Sequence, residues 1–212
     1  MKNNVLKYIV VLIIIHCSAA YSQKNSFIVT TTNDTIYVDK IVLKEDKIKV
    51  TTHDSTKKYS YQELKSFYTA KDNKHFEKVI SPPSADAYIK KVYFKNDYYF
   101  LNRLTQGKVK LFSFSVKGLV MSAASPHMMA PLSFSDDLYF ISIYDSKLEP
   151  IGDHFKLKLT KEVFDILSVY LYGNDEITKE LHDLYNTKPT PAKKEIIDLI
   201  NKYNVWVAKR KK

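Results

Sequence analysis

The sequence predicts an α+β protein with a small N-terminal β-barrel-like module, an antiparallel sheet and a C-terminal cap of about three helices. Short β-branched segments separated by polar turns fill residues 23–80. The run Val92–Ser115 is rich in Tyr, Phe, Leu and Val, which suit a half-buried pleated surface. From Thr160 the apolar period changes from two to about 3.6. With 45% hydrophobic and 26% charged residues, the 212-residue chain has the composition of a globular protein.

Residues 1–22 are predicted to be a cleaved signal peptide. Lys2 and Lys7 supply the positive start, and the apolar run Tyr8–Ile15 is too short to span a bilayer as a mature helix. Ala20-Tyr21-Ser22 places small residues where a signal peptidase reads, which predicts cleavage near Ser22. The chain is therefore expected to be exported to the periplasm or beyond the cell.

Two alternatives to cleavage near Ser22 are lipidation at Cys17 and a retained anchor. A lipidated Cys normally follows a small residue, whereas His16 precedes this one. Cleavage at Ser22 would remove the single Cys of the chain. The mature protein would then have no disulfide, no thiol nucleophile and no Cys metal ligand.

Residues 23–80 are expected to form the N-terminal β module. The predicted strands are Ser26–Thr32, Thr35–Leu43, Ile48–Thr52, Lys58–Tyr61, Ser66–Ala70 and Phe76–Ile80. Asn33-Asp34 is predicted to be a turn. Near Asp39-Lys40 the apolar residues change from one face of the predicted strand to the other, and this parity switch predicts a bulge. Gln62–Lys65 is expected to make one helical turn. This spacing of short strands favours a strongly bent sheet or barrel.

A linker over 81–87 and an antiparallel sheet over 88–159 are predicted next. Prolines 82 and 83 cannot donate to a strand ladder, which favours the linker. Val92–Ser115 is expected to contain three strands joined by turns at Asn96-Asp97 and Gln106-Gly107. Lys117–Asp137 is predicted to be a long irregular loop, Leu138–Tyr144 a strand, and Asp145–Asp153 a turn region.

Residues 160–212 are predicted to be helical. Thr160 is a suitable N-cap and Gly173 the expected stop of the first helix. The second helix begins near Asp175, and Thr190-Pro191 opens the third. The predicted buried positions are Val163, Phe164, Ile166, Leu167, Tyr170 and Leu171 in the first helix, Ile177, Leu181, Leu184 and Tyr185 in the second, and Ile196, Ile197, Ile200 and Tyr203 in the third.

The histidines do not predict a metal or catalytic site. His53, His75, His127, His154 and His182 lie in no spaced ligand pattern, and surface or turn positions explain them best. His127 beside Met128-Met129 offers imidazole and thioether ligands that suit copper, but a flexible loop packed on the sheet is the preferred interpretation. We therefore predict no catalytic, cofactor-binding or metal-binding residue and no cofactor.

The charge and the aromatic residues suggest several classes of partner. The formal net charge is +10, and 90–95 interleaves Lys with Tyr and Phe as in strands that bind single-stranded nucleic acid. Predicted export and the ordinary look of outward Lys on a sheet argue against nucleic acid. The candidate partners that remain are an unknown envelope protein or a glycan stacked on Tyr. The basic end Lys209–Lys212 also suits an anionic membrane surface.

Several segments of the sequence are similar to segments of a known group of proteins. Asn33-Asp34-Thr35-Ile36, Ile48–Val50 and 59–67 (YSYQELKSF) resemble secreted β-rich proteins of Bacteroidota-type bacteria, a family of unknown function. The 101–112 hairpin and the closing Tyr203-Asn204 are similar to theirs. The resemblance implies an envelope location and transfers no functional residue. Asp34-Thr35-Ile36 and Asp54-Ser55-Thr56 also resemble the O-glycosylation acceptor pattern of such bacteria, and their glycosylation is a hypothesis.

The expected function is therefore that of a non-enzymatic envelope protein that binds a partner or contributes structure. The alternative is a hydrolase acting on an envelope or polymeric substrate. Its acid and base groups would come from Asp136, Asp137, Asp153 and His154. Converging carboxylates in a concave pocket would favour the enzyme, and an exposed apolar patch would favour the binding protein.

Overall fold

A computed structural model of the chain describes residues 25–44, 47–80, 98–121, 131–144, 148–152, 157–187 and 193–210. Side chains are described in these ranges except at 116–121 and 131–136. The chain forms two compact units, Met1–Lys74 (unit 1) and His75–Lys212 (unit 2). The predicted signal peptide and the predicted linker at 81–87 lie outside the described residues.

Unit 1 is built from short antiparallel strands. They are β1 (Ser26–Thr30), β2 (Thr35–Val38), β3 (Lys40–Leu43), β4 (Lys47–Thr51), β5 (Thr56–Ser60) and β6 (Leu64–Thr69). β1 pairs with β2 and β6, while β4 pairs with β3 and β5. Ile28, Leu64 and Phe67 are fully buried on one set of strands, and Ile48 on the other. All of these segments lie where the sequence predicted strands, with the ends shifted by a few residues.

The parity switch near Asp39-Lys40 has a different cause from the predicted bulge. Val38 ends β2, Lys40 starts β3, and the two strands belong to different sheets. Asp39 lies between them, and its N–H donates to the Thr51 carbonyl at 2.9 Å. A strand that changes sheets reverses the inward parity of its side chains just as a bulge does. The expected bulge is thus wrong, and the chain crosses between sheets there.

The barrel-like form expected for the N-terminal module is not supported. Among the described strands, β2, β3 and β5 each pair with a single neighbour. A barrel requires every strand to have two partners, so these sheets are open. The coarser prediction, an α+β protein with a large antiparallel sheet and C-terminal helices, is confirmed.

Side chains of the turns stabilise the turns of unit 1. Asn33 has φ of 70°, and the Thr32 hydroxyl donates to Asp34 Oδ2 at 2.5 Å. Residues Tyr61–Glu63 form a 3₁₀ turn where one helical turn was expected. The Glu63 carboxylate accepts the Ser60 N–H at 2.6 Å, which completes a capping box.

Five antiparallel strands form the sheet of unit 2. They are β7 (Lys74–Ile80), β8 (Tyr98–Arg103), β9 (Val109–Met121), β10 (Pro131–Ile143) and β11 (Glu149–Pro150), paired in that order. The predicted strand near Val92 and the turn at Asn96-Asp97 lie outside the described residues. The predicted turn at Gln106-Gly107 is present between β8 and β9, and Gly107 has φ of 138°.

The predicted irregular loop at Lys117–Asp137 is wrong over most of its described length. β9 continues to Met121 and pairs with β10 from Pro131, with Met121 opposite Pro131. The alternation Leu132-Ser133-Phe134-Ser135 carried the strand signal, but the small and Met-rich residues before it masked the pattern. Pro131 is the first residue of its strand, where its missing N–H is tolerated.

Three helices follow the sheet: α1 (Lys161–Tyr170), α2 (Asp175–Thr187) and α3 (Lys193–Arg210). As predicted, Thr160 caps α1, since its hydroxyl accepts the Val163 N–H at 3.3 Å. Gly173, with φ of 93°, lies in the turn after α1. Asn174 caps α2 by accepting the Ile177 N–H at 3.1 Å. The predicted start of the third helix at Thr190-Pro191 lies outside the described residues.

The helices cover one face of the sheet and form the main core. Alternate residues of β9 and β10 supply Val109, Leu111, Tyr139 and Ile141. The helical members are Val163, Leu167, Tyr170 and Leu171, then Ile177 and Leu181, then Ile196, Leu199, Ile200 and Tyr203. The opposite face buries a second cluster that includes Leu101, Phe112 and Phe140.

Asn204 joins α3 to the start of β9. Its side-chain amide accepts the Val109 N–H and donates to the Val109 carbonyl, both at 2.8 Å. Because β8 ends at Arg103, it provides no strand partner for Val109. The two bonds from Asn204 take the place of that partner. A Cβ at Gly107 would lie 2.5 Å from Asn204 Cγ, so only glycine fits there. Tyr203 adds a bond from its hydroxyl to the Tyr172 carbonyl at 3.1 Å.

Candidate functional site: a polar cluster and an aromatic–basic surface

Asp137 is the one member of the predicted hydrolase set whose side chain the structure describes. It lies on β10 opposite Ser115, whose hydroxyl donates to Asp137 Oδ1 at 2.6 Å. The Tyr139 hydroxyl donates to Oδ2 at 3.3 Å. The Lys193 ammonium is 3.6 Å from the same oxygen and 4.9 Å from the centre of the Tyr139 ring. Sequence reasoning named none of these three neighbours.

The neighbours of Asp137 hold its carboxyl in the ionised form. Burial acts to raise the pKa of Asp137, but the Ser115 hydrogen bond, the charge of Lys193 and the Tyr139 hydrogen bond together lower it. Burial raises the pKa of the Tyr139 phenol, and the Lys193 charge opposes that shift in part. At neutral pH the cluster therefore contains a carboxylate, a neutral phenol and an ammonium, all paired.

This arrangement suits structure better than proton transfer. A general acid needs a raised carboxyl pKa, and a general base must give up its existing hydrogen bonds to accept a proton. Asp137 has a lowered pKa and three donors around it. It links β9, β10 and the first residue of α3. Asp136 lies on β10 with its side chain not described, while Asp153 and His154 lie outside the described residues.

The described histidines do not converge. His53 and His75 are exposed, and His182 packs against the Phe164 ring with 4.9 Å between ring centroids. His127, Met128, Met129 and the 90–95 segment lie outside the described residues. Within the described ranges, no three His, Cys, Asp or Glu residues are placed to hold a metal ion.

Glu77 forms the second charged cluster of unit 2. Its carboxylate bridges Arg103 Nη1 at 2.7 Å and Lys110 Nζ at 2.6 Å. All three side chains are largely buried, and their strands β7, β8 and β9 are neighbours in the sheet. The carboxylate is bonded to both cations, which holds the three side chains together in the sheet, so this cluster also serves the packing of the sheet.

A third group of residues differs from the two charged clusters because it exposes large apolar side chains. We call it the Trp206 surface and define it as Tyr172, Val205, Trp206, Lys209 and Arg210. Tyr172 is 81% exposed and Val205 55% exposed. Large apolar side chains with this exposure mark interaction surfaces when they lie together with basic residues. Val169, three residues before Tyr172, is 71% exposed as well.

Contacts of the α1–α2 turn with α3 bring these residues together. A Cβ at Gly173 would lie 4.0 Å from the Trp206 ring, and the Tyr172 carbonyl accepts the Tyr203 hydroxyl. The Trp206 and Tyr203 rings are 5.6 Å apart, which supports the indole from the core side. The Arg210 guanidinium lies 4.6 Å from the Trp206 ring centre in a cation–π contact.

The predicted buried positions of the third helix ended at Tyr203, whereas α3 continues to Arg210 and includes Trp206. Once the helix is extended, Val205 and Lys209, like Trp206 and Arg210, are four residues apart and share a face.

No family model matches this chain, and no curated protein or solved structure matches it either. Within the described residues, no helix has the length and apolar character needed to cross a membrane.

Proposed function

We propose that the protein is an exported envelope protein that acts by binding rather than by catalysis, with the Trp206 surface as its binding site. The exposure of Tyr172 is the observation that carries this proposal. A tyrosine that is 81% exposed, beside a partly exposed tryptophan, leaves a large amphipathic area in water. Such rings are favoured at interfaces because one end is apolar and the other forms hydrogen bonds.

The distribution of charge supports the same proposal. The last turn of α3 carries Lys209 and Arg210, both exposed, and the Arg210 guanidinium lies over the Trp206 ring. Trp, Tyr and Arg are the residues that dominate binding energy at protein surfaces. At Asp137 and Glu77, in contrast, the charged side chains are bonded to one another within the fold.

A pulldown with matched variants tests the proposed function. The chain isolated from its host, a Tyr172→Ser/Val205→Ser variant and a Tyr37→Ser control are immobilised and exposed to envelope extract. Tyr37 is 66% exposed in unit 1, so its replacement changes an exposed tyrosine elsewhere. We expect the wild type and the control to retain the same component and the double variant to lose it. Equal retention by all three, or retention by none, would contradict the proposal.

The hydrolase alternative stays an untested prediction. It requires a carboxyl that takes up or releases a proton near neutral pH, and Asp137 with its lowered pKa is poorly suited to that role. Hydrolysis of envelope polysaccharide by wild type but not by Asp137→Asn would favour the enzyme.

A further inference from the structure

We propose that the Trp206 surface docks on an anionic lipid surface. This inference rests on the proposed binding function and identifies the partner of that site. The occupant is a bilayer headgroup region with acidic lipids, and the contact is made by the last two turns of α3 together with the α1–α2 turn.

The side chains of the surface are arranged in pairs of an apolar group and a cation. Val205 is followed one helical turn later by Lys209, and Trp206 by Arg210. The Arg210 guanidinium lies over the indole at 4.6 Å, which leaves its edge free to donate to phosphate oxygens. Long basic side chains beside apolar residues can place their charged heads at lipid phosphates while the apolar groups enter deeper.

The charge of this end of the chain is complementary to acidic lipids. Positions 193–212 contain seven basic and two acidic residues. Ion pairs in the described residues connect Lys202 of α3 with Glu180 of α2 at 2.5 Å and Lys193 of α3 with Asp137 of β10 at 3.6 Å, and neither involves the last turn of the helix. Lys209 and Arg210 are exposed at the C-terminal end of the helix, and the sequence continues with two further lysines.

The apolar members favour a bilayer over a soluble polyanion. Nucleic acid or an acidic polysaccharide would gain from the cations and could stack on an aromatic ring. Neither provides an apolar medium for Val205, whose transfer out of water is favourable in the interfacial region of a membrane. Trp and Tyr rings are also the side chains enriched at the headgroup level.

The chain carries its own reporter, because Trp206 is the single tryptophan. Its emission is recorded while the chain is titrated with phosphatidylcholine vesicles, with or without 30% phosphatidylglycerol, and with brominated phosphatidylcholine in the acidic mixture. We expect a blue shift and quenching by the bromolipid only with the acidic vesicles, and loss of both in 0.5 M NaCl as screening weakens the attraction.

Two variants divide the contact into its charged and apolar parts. Lys209→Gln with Arg210→Gln should lower the vesicle partition coefficient roughly 30-fold, since each basic residue near an acidic surface contributes about 1 kcal/mol. Tyr172→Ser with Val205→Ser should lower it roughly tenfold through lost apolar burial. Lys57→Gln with Lys58→Gln removes two exposed charges from unit 1 and should leave the coefficient within about twofold.

Each outcome bears on the proposal. No binding of the wild type to acidic vesicles would overturn it, as would binding without any change in Trp206 emission, which would place the contact elsewhere. A Trp206 shift with heparin or DNA but not with vesicles would overturn the lipid assignment while leaving the proposed binding function standing. The pulldown could also retain a component that the Tyr172→Ser/Val205→Ser variant loses, while the wild type does not bind vesicles. That result would likewise overturn the lipid assignment and leave the proposed binding function standing.

Discussion

Two turns of unit 1 and the core of unit 2 stabilise their polar groups in different ways. In these two turns, side chains close in sequence satisfy backbone groups: the Thr30 hydroxyl accepts the Asp34 N–H, and the Glu63 carboxylate accepts the Ser60 N–H. In unit 2, important bonds connect segments distant in the sequence, such as Asn204 and Val109, which are 95 residues apart. Local bonds form with the element they stabilise, whereas distant bonds require the helices and the sheet to be assembled together.

This difference indicates where substitutions should have large effects on stability. Loss of a turn side chain in unit 1 leaves an exposed group that water can satisfy. Loss of a helix-to-strand bond in unit 2 leaves a buried backbone group without a partner, which costs the full desolvation penalty. The comparison predicts a steep order of effects across three substitutions.

The largest effect is expected for Asn204→Leu. Leu has a similar volume but removes the acceptor of the Val109 N–H and one donor to its carbonyl, both buried. We expect the free energy of unfolding of unit 2 to fall by about 3 kcal/mol. A urea titration followed by the fluorescence of Trp206, which lies in α3, measures it. Asn201→Leu, on the same helix and half-buried, is the control and should change stability by about 0.5 kcal/mol or less. Equal losses for the two variants would show that the bonds between Asn204 and Val109 have no special weight in the stability of unit 2.

An intermediate and pH-dependent effect is expected for Asp137→Asn. Because the folded-state pKa of Asp137 is lowered, its carboxylate contributes stability that is present above the unfolded-state pKa of about 4 and lost as the pH falls through the folded-state pKa. The ion pair with Lys193 is partly exposed, so the contribution at pH 7 should be about 1 kcal/mol or less. Urea titrations between pH 7 and pH 2 should show a shallower loss of stability on acidification for the variant. Parallel curves for wild type and variant would contradict this.

The smallest effect is expected for Glu63→Gln in unit 1. The Ser60 N–H lowers the pKa of the Glu63 carboxyl, followed by the Ser60 hydroxyl, but the group is almost fully exposed and solvent screens it. A glutamine amide oxygen can still accept the Ser60 N–H. We expect unchanged unfolding of unit 2 by Trp206 fluorescence and only a small increase in hydrogen exchange at Ser60. A large change in either measurement would show that the capping box is not a local feature.

Local patterns in the sequence predicted the helices and most strands of the fold. Thr160 and Gly173 delimit the first helix because capping and positive φ are chemical properties of those residues. The parity change at Asp39 was visible, but a bulge and a change of sheet give the same pattern in one sequence. Only pairing partners distant in the chain distinguish the two.

The candidate sites depended on tertiary contacts and were less predictable. Asp137 was named from its residue type, whereas Ser115, Tyr139 and Lys193 meet it only through strand register and the position of α3. Asn204 did leave a signal, because it continues the buried stripe of Ile196 and Ile200 as a polar residue. A polar group on such a stripe predicts a buried partner.

The bond between Asn204 and Val109 also sets an order of events during synthesis. The first residue of β9 leaves the ribosome 95 residues before the side chain that completes its hydrogen bonding. Until then the Val109 N–H at the start of β9 lacks this hydrogen-bond acceptor, and the core between the sheet and the helices lacks α3. The core between the helices and the sheet of unit 2 is therefore completed only when nearly all of the chain has been made.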